Sequence, residues 1–285
     1  MSTELPTLAV TGSTGSLGGR VARLLAGSGV AQRLLARDST RVPRLDGGVP
    51  VSFTGYADRA DAVRALDGVS TLFMVSGSES ADRRDQHLAF VDAAAEAGVR
   101  HVVYTSFFGA APDATFTLAR DHYATEEHIK ASGMHWTFLR DNLYLDVIPM
   151  FVGEDDMLRG PAGDGVVSAV SYDDIAASAA DVLSAPDAHV DRTYDLTGPE
   201  ALSLSAAAET LSAALGRPIT YHDETIEEAY ESRRQWPAPD WQYDAWVSTY
   251  TAIAAGELAP VTDDVRNLTG RQPITLTELL ARQGR

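Results

Sequence analysis

The stretch Val10–Arg20, VTGSTGSLGGR, constrains this chain more than any other: Gly12, Gly15 and Gly18 stand three apart, directly behind the apolar run Leu5–Val10. A strand that turns tightly into a helix needs a residue without Cβ at the turn. It needs a second where backbone must approach a ligand, and a third where the helix packs close to the strand. The amides of Ser16, Leu17 and Gly18 open a helix expected over Ser16–Ala26, and at the positive end of its dipole they face outward as anion donors. Ser13, Thr14 and Ser16 add hydroxyl donors. The pattern reads as a cradle for the pyrophosphate of a dinucleotide, because a strand precedes it, a helix follows and a second strand ends at Leu34-Leu35-Ala36-Arg37.

The remainder of the first two thirds repeats this alternation. Strands are expected at Leu5–Val10, Gln32–Ala36, Val49–Phe53, Thr71–Val75, His101–Thr105 and Thr137–Leu139. Helices are expected at Ser16–Ala26, Arg59–Leu66, Arg83–Ala97 and Leu118–Ser132, stopped by Gly27, Gly68, Gly98 and Gly133. Strands this apolar, separated by helices, imply an α/β doubly wound parallel sheet of the Rossmann type, covered on both faces. A strand at Val166–Val170 and a helix at Asp173–Ser184 extend it, with Thr193–Leu196 as an edge strand. Beyond Gly198 the pattern becomes helical, over Ser203–Leu215, Ile226–Arg234 and Trp241–Ala255. Residues 1–141 and 165–195 are thus expected to form the dinucleotide-binding core. Residues 142–164 and 196–285 form a small, mainly helical lobe over the carboxyl ends of the strands, where such sheets bind ligands.

Composition narrows the chemistry. The chain has no cysteine, so disulfides, thiolate catalysis and cysteine-ligated zinc are out, and redox chemistry would belong to a borrowed cofactor. Its seven histidines show no metal spacing. A net charge of −17 argues against nucleic acid, which needs a basic surface, and would repel an anionic cofactor at long range. With Lys130 the single lysine, arginines and backbone amides must hold the phosphates. No apolar run is long enough for a membrane span and Met1–Pro6 lacks a signal-peptide pattern, so a cytoplasmic protein is expected, as monomer or homodimer.

Arg37 stands nineteen positions after Gly18, where such folds read the adenosine ribose. An arginine there pairs with a 2′-phosphate and favours NADP(H), whereas the adjacent Asp38 would instead serve the free ribose of NAD(H). Asp58 is a candidate for the adenine amino group or a helix N-cap. Past the fifth and sixth strands, Phe107, Phe108, Asn142 and Tyr144 form either a platform for a flat aromatic substrate or ordinary packing. Ser106 either stabilises a developing oxyanion or bonds backbone at the strand end.

Taken together, TGSTGSLGG, LLARD, GYADRADAVRALDGVSTLFMVS, HLAFVDAAAEAGVRHVVYTSF and HYATEEHIKASGMHWTFLRDNLY resemble the NmrA-like group of atypical short-chain dehydrogenase/reductases, in particular its quinone-oxidoreductase and triphenylmethane-reductase branch. The resemblance runs from about Leu5 to Pro149 and more loosely to the segment TDDVRNLTGRQPITLTELL. It implies NADPH at Gly12, Gly15, Gly18 and Arg37, with the nicotinamide near Val75–Ser76 and Thr105–Phe107.

Short-chain dehydrogenases usually place Tyr-x-x-x-Lys on the helix after the fifth strand, the lysine lowering the tyrosine pKa for proton transfer. This chain lacks the pair. His122 stands there with Glu126 four residues on, one helix face apart, so the carboxylate could orient or charge the imidazole. The alternative is a surface histidine beside a surface glutamate. The expectation is an NADPH-dependent reductase acting on a quinone or similar conjugated small molecule, without metal. A non-catalytic redox sensor that binds the dinucleotide and reports to a partner is the rival. A nucleotide-sugar epimerase is disfavoured by the same missing pair.

Overall fold

The computed structural model describes residues 5–284. In chain order they form β1 (Leu8–Val10), α1 (Ser16–Gly27), β2 (Gln32–Ala36), β3 (Gly48–Ser52), α2 (Arg59–Leu66), β4 (Thr71–Met74), α3 (Arg83–Glu96), β5 (His101–Phe107), α4 (Thr117–Ala131), β6 (His135–Asp141), β7 (Met157–Gly160), β8 (Val166–Val167), α5 (Tyr172–Ser184), β9 (Arg192–Leu196), β10 (Leu202–Ser203), α6 (Leu204–Leu215), β11 (Thr220–Asp223), α7 (Ile226–Arg233), α8 (Asp240–Ala254), α9 (Asp264–Thr269) and α10 (Leu276–Arg282). Seven strands make one sheet in the order β3-β2-β1-β4-β5-β6-β9. The pairs β1·β2, β1·β4, β2·β3 and β4·β5 are parallel. The order reverses direction at β1, which is the doubly wound Rossmann-type arrangement, and ligands bind such sheets outside the carboxyl ends of the strands at that reversal.

The chain divides into two compact units. The first holds the described residues up to Ser106, with Asp121–Arg140 and Ile175–Tyr194. In it, alternate residues of neighbouring strands, Ala9, Leu35, Leu72, Met74, Val102, Tyr104 and Phe138, pack on Leu66 of α2, Phe90 and Val91 of α3 and Ile129 of α4. Burying each large apolar side chain there contributes roughly 1.5–3 kcal/mol. All five residues of β2 and all seven of β5 are buried, the polar ones among them, Gln32, Arg33, His101, Thr105 and Ser106, included.

The second unit holds Phe107–Arg120, Asp141–Asp174 and Asp195 onward. Its core joins Phe107, Leu145, Leu158, Leu211, Ile253 and Leu280, among others. Capping boxes at Thr225/Glu228 and Thr275/Glu278 start α7 and α10. Residues 107–120 and 165–174 therefore group with this unit, whereas the sequence expectation put them in the core.

Two local expectations need correction. Of Val166–Val170, only Val166–Val167 forms a strand, and it pairs antiparallel with Leu202–Ser203 in a separate two-stranded sheet instead of extending the main one. Gly27 lies within the last turn of α1, and Gly29 takes the left-handed backbone after it at φ +75°. Gly68, Gly98 and Gly133 do adopt positive φ where expected.

Candidate functional site

Gly12 turns the chain out of β1 at φ +61°, and its carbonyl accepts from the Gly15 amide at 2.8 Å. A Cβ on Gly18 would lie 2.4 Å from the Gly12 oxygen, so α1 can start this close to the turn only with glycine there. Gly15 is the extended N-cap, no side chain caps the helix and no acid stands in its first turn. The amides opening α1 are thus left for a ligand, with Gly12, Thr14, Gly15 and Ser16 exposed around them. Leu17 is buried on the core side and contributes its amide only. Ser13 departs from expectation. It is 1% exposed, and its hydroxyl donates to the Leu35 carbonyl at 3.1 Å, tying the turn to β2 instead of facing a phosphate.

Arg37 is exposed just past β2 and makes no hydrogen bond or ion pair among the described residues. Asp38 caps the short 3-10 turn Ser39–Arg41, accepting from the Thr40 amide at 3.0 Å and from the Thr40 hydroxyl. Those bonds, both on Oδ1, hold its carboxyl below the usual range. A dinucleotide with a 2′-phosphate therefore fits this corner, through the open amides and Arg37. Asp58 is the N-cap of α2, accepting from the Asp61 amide at 3.1 Å and from the Thr54 hydroxyl at 3.2 Å. The cap is thus formed, and the carboxylate is exposed beside it.

Val75 follows β4 against the same turn: a Cβ on Gly12 would lie 3.2 Å from the Val75 Cβ. The Val75 amide donates to Thr11 Oγ1 and the Ser76 amide to Thr105 Oγ1, both at 2.8 Å. Thr105, 1% exposed at the end of β5, is thereby committed to Ser76.

The residues at the expected catalytic place are arranged differently from the reading of their spacing. His122 is buried, and both ring nitrogens are engaged: Nε2 accepts from Arg83 Nη2 at 2.8 Å, so the proton of the neutral ring is on Nδ1, 2.9 Å from Tyr104 Oη. Burial, then the Arg83 charge, pushes its pKa well below 6.5. Glu126 does not orient it. The glutamate, fully buried, accepts from Ser106 Oγ at 2.6 Å and from Arg140 Nε and Nη2 at 2.8 and 2.6 Å. With its proton on Glu126, Ser106 offers a ligand lone pairs, not a donor for an oxyanion.

In the second unit, Phe107 and Phe108 lie in the apolar core, Phe107 4.8 Å from the Phe116 ring. Asn142 is fully buried and fully used. Its Nδ2 donates to Ser168 Oγ at 2.8 Å and to the Leu258 carbonyl at 3.0 Å, and its Oδ1 accepts from the Leu143 amide at 2.8 Å. Tyr144 is half-buried, its ring 4.6 Å from that of Tyr172. Among the described residues no group of three or more histidines and acids is placed to hold a metal.

The model of the NmrA-like family matches residues 5–238. The chain belongs to the NmrA-like family. An NAD(P)H azoreductase of Xenophilus azovorans is 33% identical over 273 residues, 94% of this chain and 95% of that protein. The structure of an NADPH-dependent quinone oxidoreductase from Escherichia coli, complexed with NADPH, superposes with a TM-score of 0.89 at 29% identity, covering 98% of this chain and 100% of that one. A triphenylmethane reductase from Citrobacter sp. gives 0.86 at 29% identity, covering 97% and 98%.

Sequence reasoning on this NmrA-like chain passed over Arg83, His87, Arg140 and Asp141. Arg83 and His87 stand four apart on α3, the same one-face spacing read at His122 and Glu126, and that signal was available. Asp141 gives no sequence signal: it is 1% exposed with both carboxylate oxygens unpartnered, which only the folded chain reveals.

Proposed function

We propose that this chain is an NADPH-dependent reductase that delivers hydride to a quinone or a similarly conjugated small molecule without a Tyr-x-x-x-Lys pair. The observation that carries the reading is the corner at α1 and β2. Amides without a side-chain cap open the helix, Arg37 is unpaired among the described residues, and Asp38 is turned into its own cap. The relatives support the reductase part, being by name an azoreductase, a quinone oxidoreductase and a triphenylmethane reductase. Azo and quinone groups and triphenylmethane cations share extended conjugation with an electron-poor centre that accepts hydride.

When bound, NADPH supplies the hydride. The chain's own residues hold the phosphates at Ser16–Gly18 and Arg37 and shape the Val75–Ser76 segment beside the Gly12 turn. The proton comes from solvent: a reduced quinone oxygen is phenol-like, with pKa about 10, and takes a proton from water without a strong acid. That suits a site whose Ser106 proton is held by Glu126 and whose His122 nitrogens are both engaged.

Steady-state consumption of NADPH with a panel of quinones, azo dyes and triphenylmethane dyes tests the proposal. Turnover with at least one class is expected. NADPH binding without turnover on any of them overturns the reductase reading in favour of a redox sensor.

A further inference from the structure

The peptide groups of Val75–Gly77 are gripped by five side chains from four different places. The Val75 amide donates to Thr11 and its carbonyl accepts from the Tyr56 hydroxyl. The Ser76 amide donates to Thr105. The Gly77 amide donates to His87 Nε2 at 2.8 Å, and the Gly77 carbonyl accepts from Arg83 Nε at 2.9 Å. A Cβ on Gly77 would sit 3.2 Å from His87 Nε2, so the close approach of this ring is built around a glycine.

The two side chains that take both polar groups of Gly77 are themselves held from α4. Because the Gly77 N–H occupies Nε2, neutral His87 carries its proton on Nδ1, 3.0 Å from Thr125 Oγ1, which in turn donates to the Asp121 carbonyl at 2.7 Å. Arg83 gives Nη2 to His122 Nε2 and stands 3.5 Å from the Asp121 carboxylate. Arg83 and His122 are 5% and 6% exposed and His87 and Thr125 are fully buried. Side chains this enclosed, each satisfied at both ends, have one arrangement available, and they impose it on a loop that is itself only half-buried.

We propose that His87 and Arg83 are positioning residues that fix the Val75–Gly77 segment for hydride transfer, with His122 aiming the Arg83 guanidinium instead of acting as a proton donor. The inference rests on the NADPH-reductase reading. Its structural reason is that Val75 packs on the Gly12 turn at the carboxyl ends of adjacent strands, where the ligand of such a sheet lies. Neither residue is a catalytic residue in this account, since each acts through the Gly77 peptide.

The test compares His87→Leu, which removes the acceptor for the Gly77 amide, with His87→Gln, which restores one, and Arg83→Met with Arg83→Lys. Three readouts are taken on the full chain: amide hydrogen exchange at Gly77 without cofactor, NADPH affinity by fluorescence titration, and single-turnover hydride transfer from NADPH deuterated on either face of C4. His87→Leu is expected to speed Gly77 exchange, to leave NADPH affinity close to the parent's, and to slow hydride transfer by about 100-fold, the scale of a small misplacement of reacting groups. His87→Gln is expected to regain most of the rate, and the leucine variant to lose strict transfer from one face. If His87→Leu does not fold, the glutamine and lysine variants carry the same comparison against the parent. Parent-like transfer and Gly77 exchange in His87→Leu, or a loss that glutamine does not rescue, overturns the positioning role. A parent protein that binds no NADPH overturns the reductase reading itself.

Discussion

Burial without a partner raises the pKa of Asp141, so the folded protein holds that proton to higher pH than an exposed carboxyl does. It is 1% exposed, neither oxygen is hydrogen-bonded, and burial holds its carboxyl well above its ordinary value of 3.8. The folded state therefore keeps a proton that the unfolded chain releases, and stability falls as pH rises from about 4 towards the raised value, by about 1.4 kcal/mol per pH unit. Asp141→Asn removes this titration, so its advantage over the parent in urea unfolding is expected to grow as pH is raised. An effect independent of pH contradicts the account. Glu126 is the opposite case, a buried carboxylate with both oxygens paired. Arg140→Leu strands that charge and is expected to cost about 3–5 kcal/mol, whereas replacing Glu126 and Arg140 together by leucine recovers most of the loss. Denaturant midpoints of the two single variants and the double variant check this, and additive losses would contradict it.

At the scale of elements, α3 and α4 carry two buried neutral imidazoles between them. Burial, with the Arg83 charge behind it, pulls His87 from 6.5 down to about 3, and His122 shifts in the same direction. A histidine kept neutral in the fold contributes stability that is complete above its unfolded pKa and is lost as pH falls towards its folded one. For His87, between about pH 6.5 and pH 3, the loss is about 1.4 kcal/mol per unit. Urea unfolding in that window is expected to show a steep acid limb that His87→Gln makes shallower by one proton, and an unchanged slope contradicts the buried neutral ring. The existence and type of these elements were legible in the sequence: Gln32–Ala36 and Arg59–Leu66 emerge with the expected ends, because apolar runs and a capping aspartate mark them locally. Partners were less so. The i, i+4 spacing of His122 and Glu126 put both on one face of α4, yet their bonds go to Tyr104, Arg83, Ser106 and Arg140, from elements far away in sequence. Nor does an apolar run such as Val166–Val170 say which strand it will pair with, so its place in a separate small sheet was hidden until the chain folded.

For the whole molecule, a net charge of −17 must be overcome locally wherever a polyanion binds. In the proposed site the Gly12–Gly18 corner would do so with backbone amides and Arg37. The tight Gly12–Gly18 turn was legible because its glycines answer to steric demands within a dozen residues. The cap that Asp38 makes on Thr40 was not, since the same Arg-Asp pair reads either way. The most direct test of the account is the affinity of the parent and of Arg37→Ala for NADPH and NADH, measured side by side. A charge-assisted contact worth about 1.5–3 kcal/mol predicts that the parent prefers NADPH by about 10- to 150-fold and that Arg37→Ala loses this preference while binding NADH as before. Equal affinities in the parent, or a preference that survives the substitution, would contradict it.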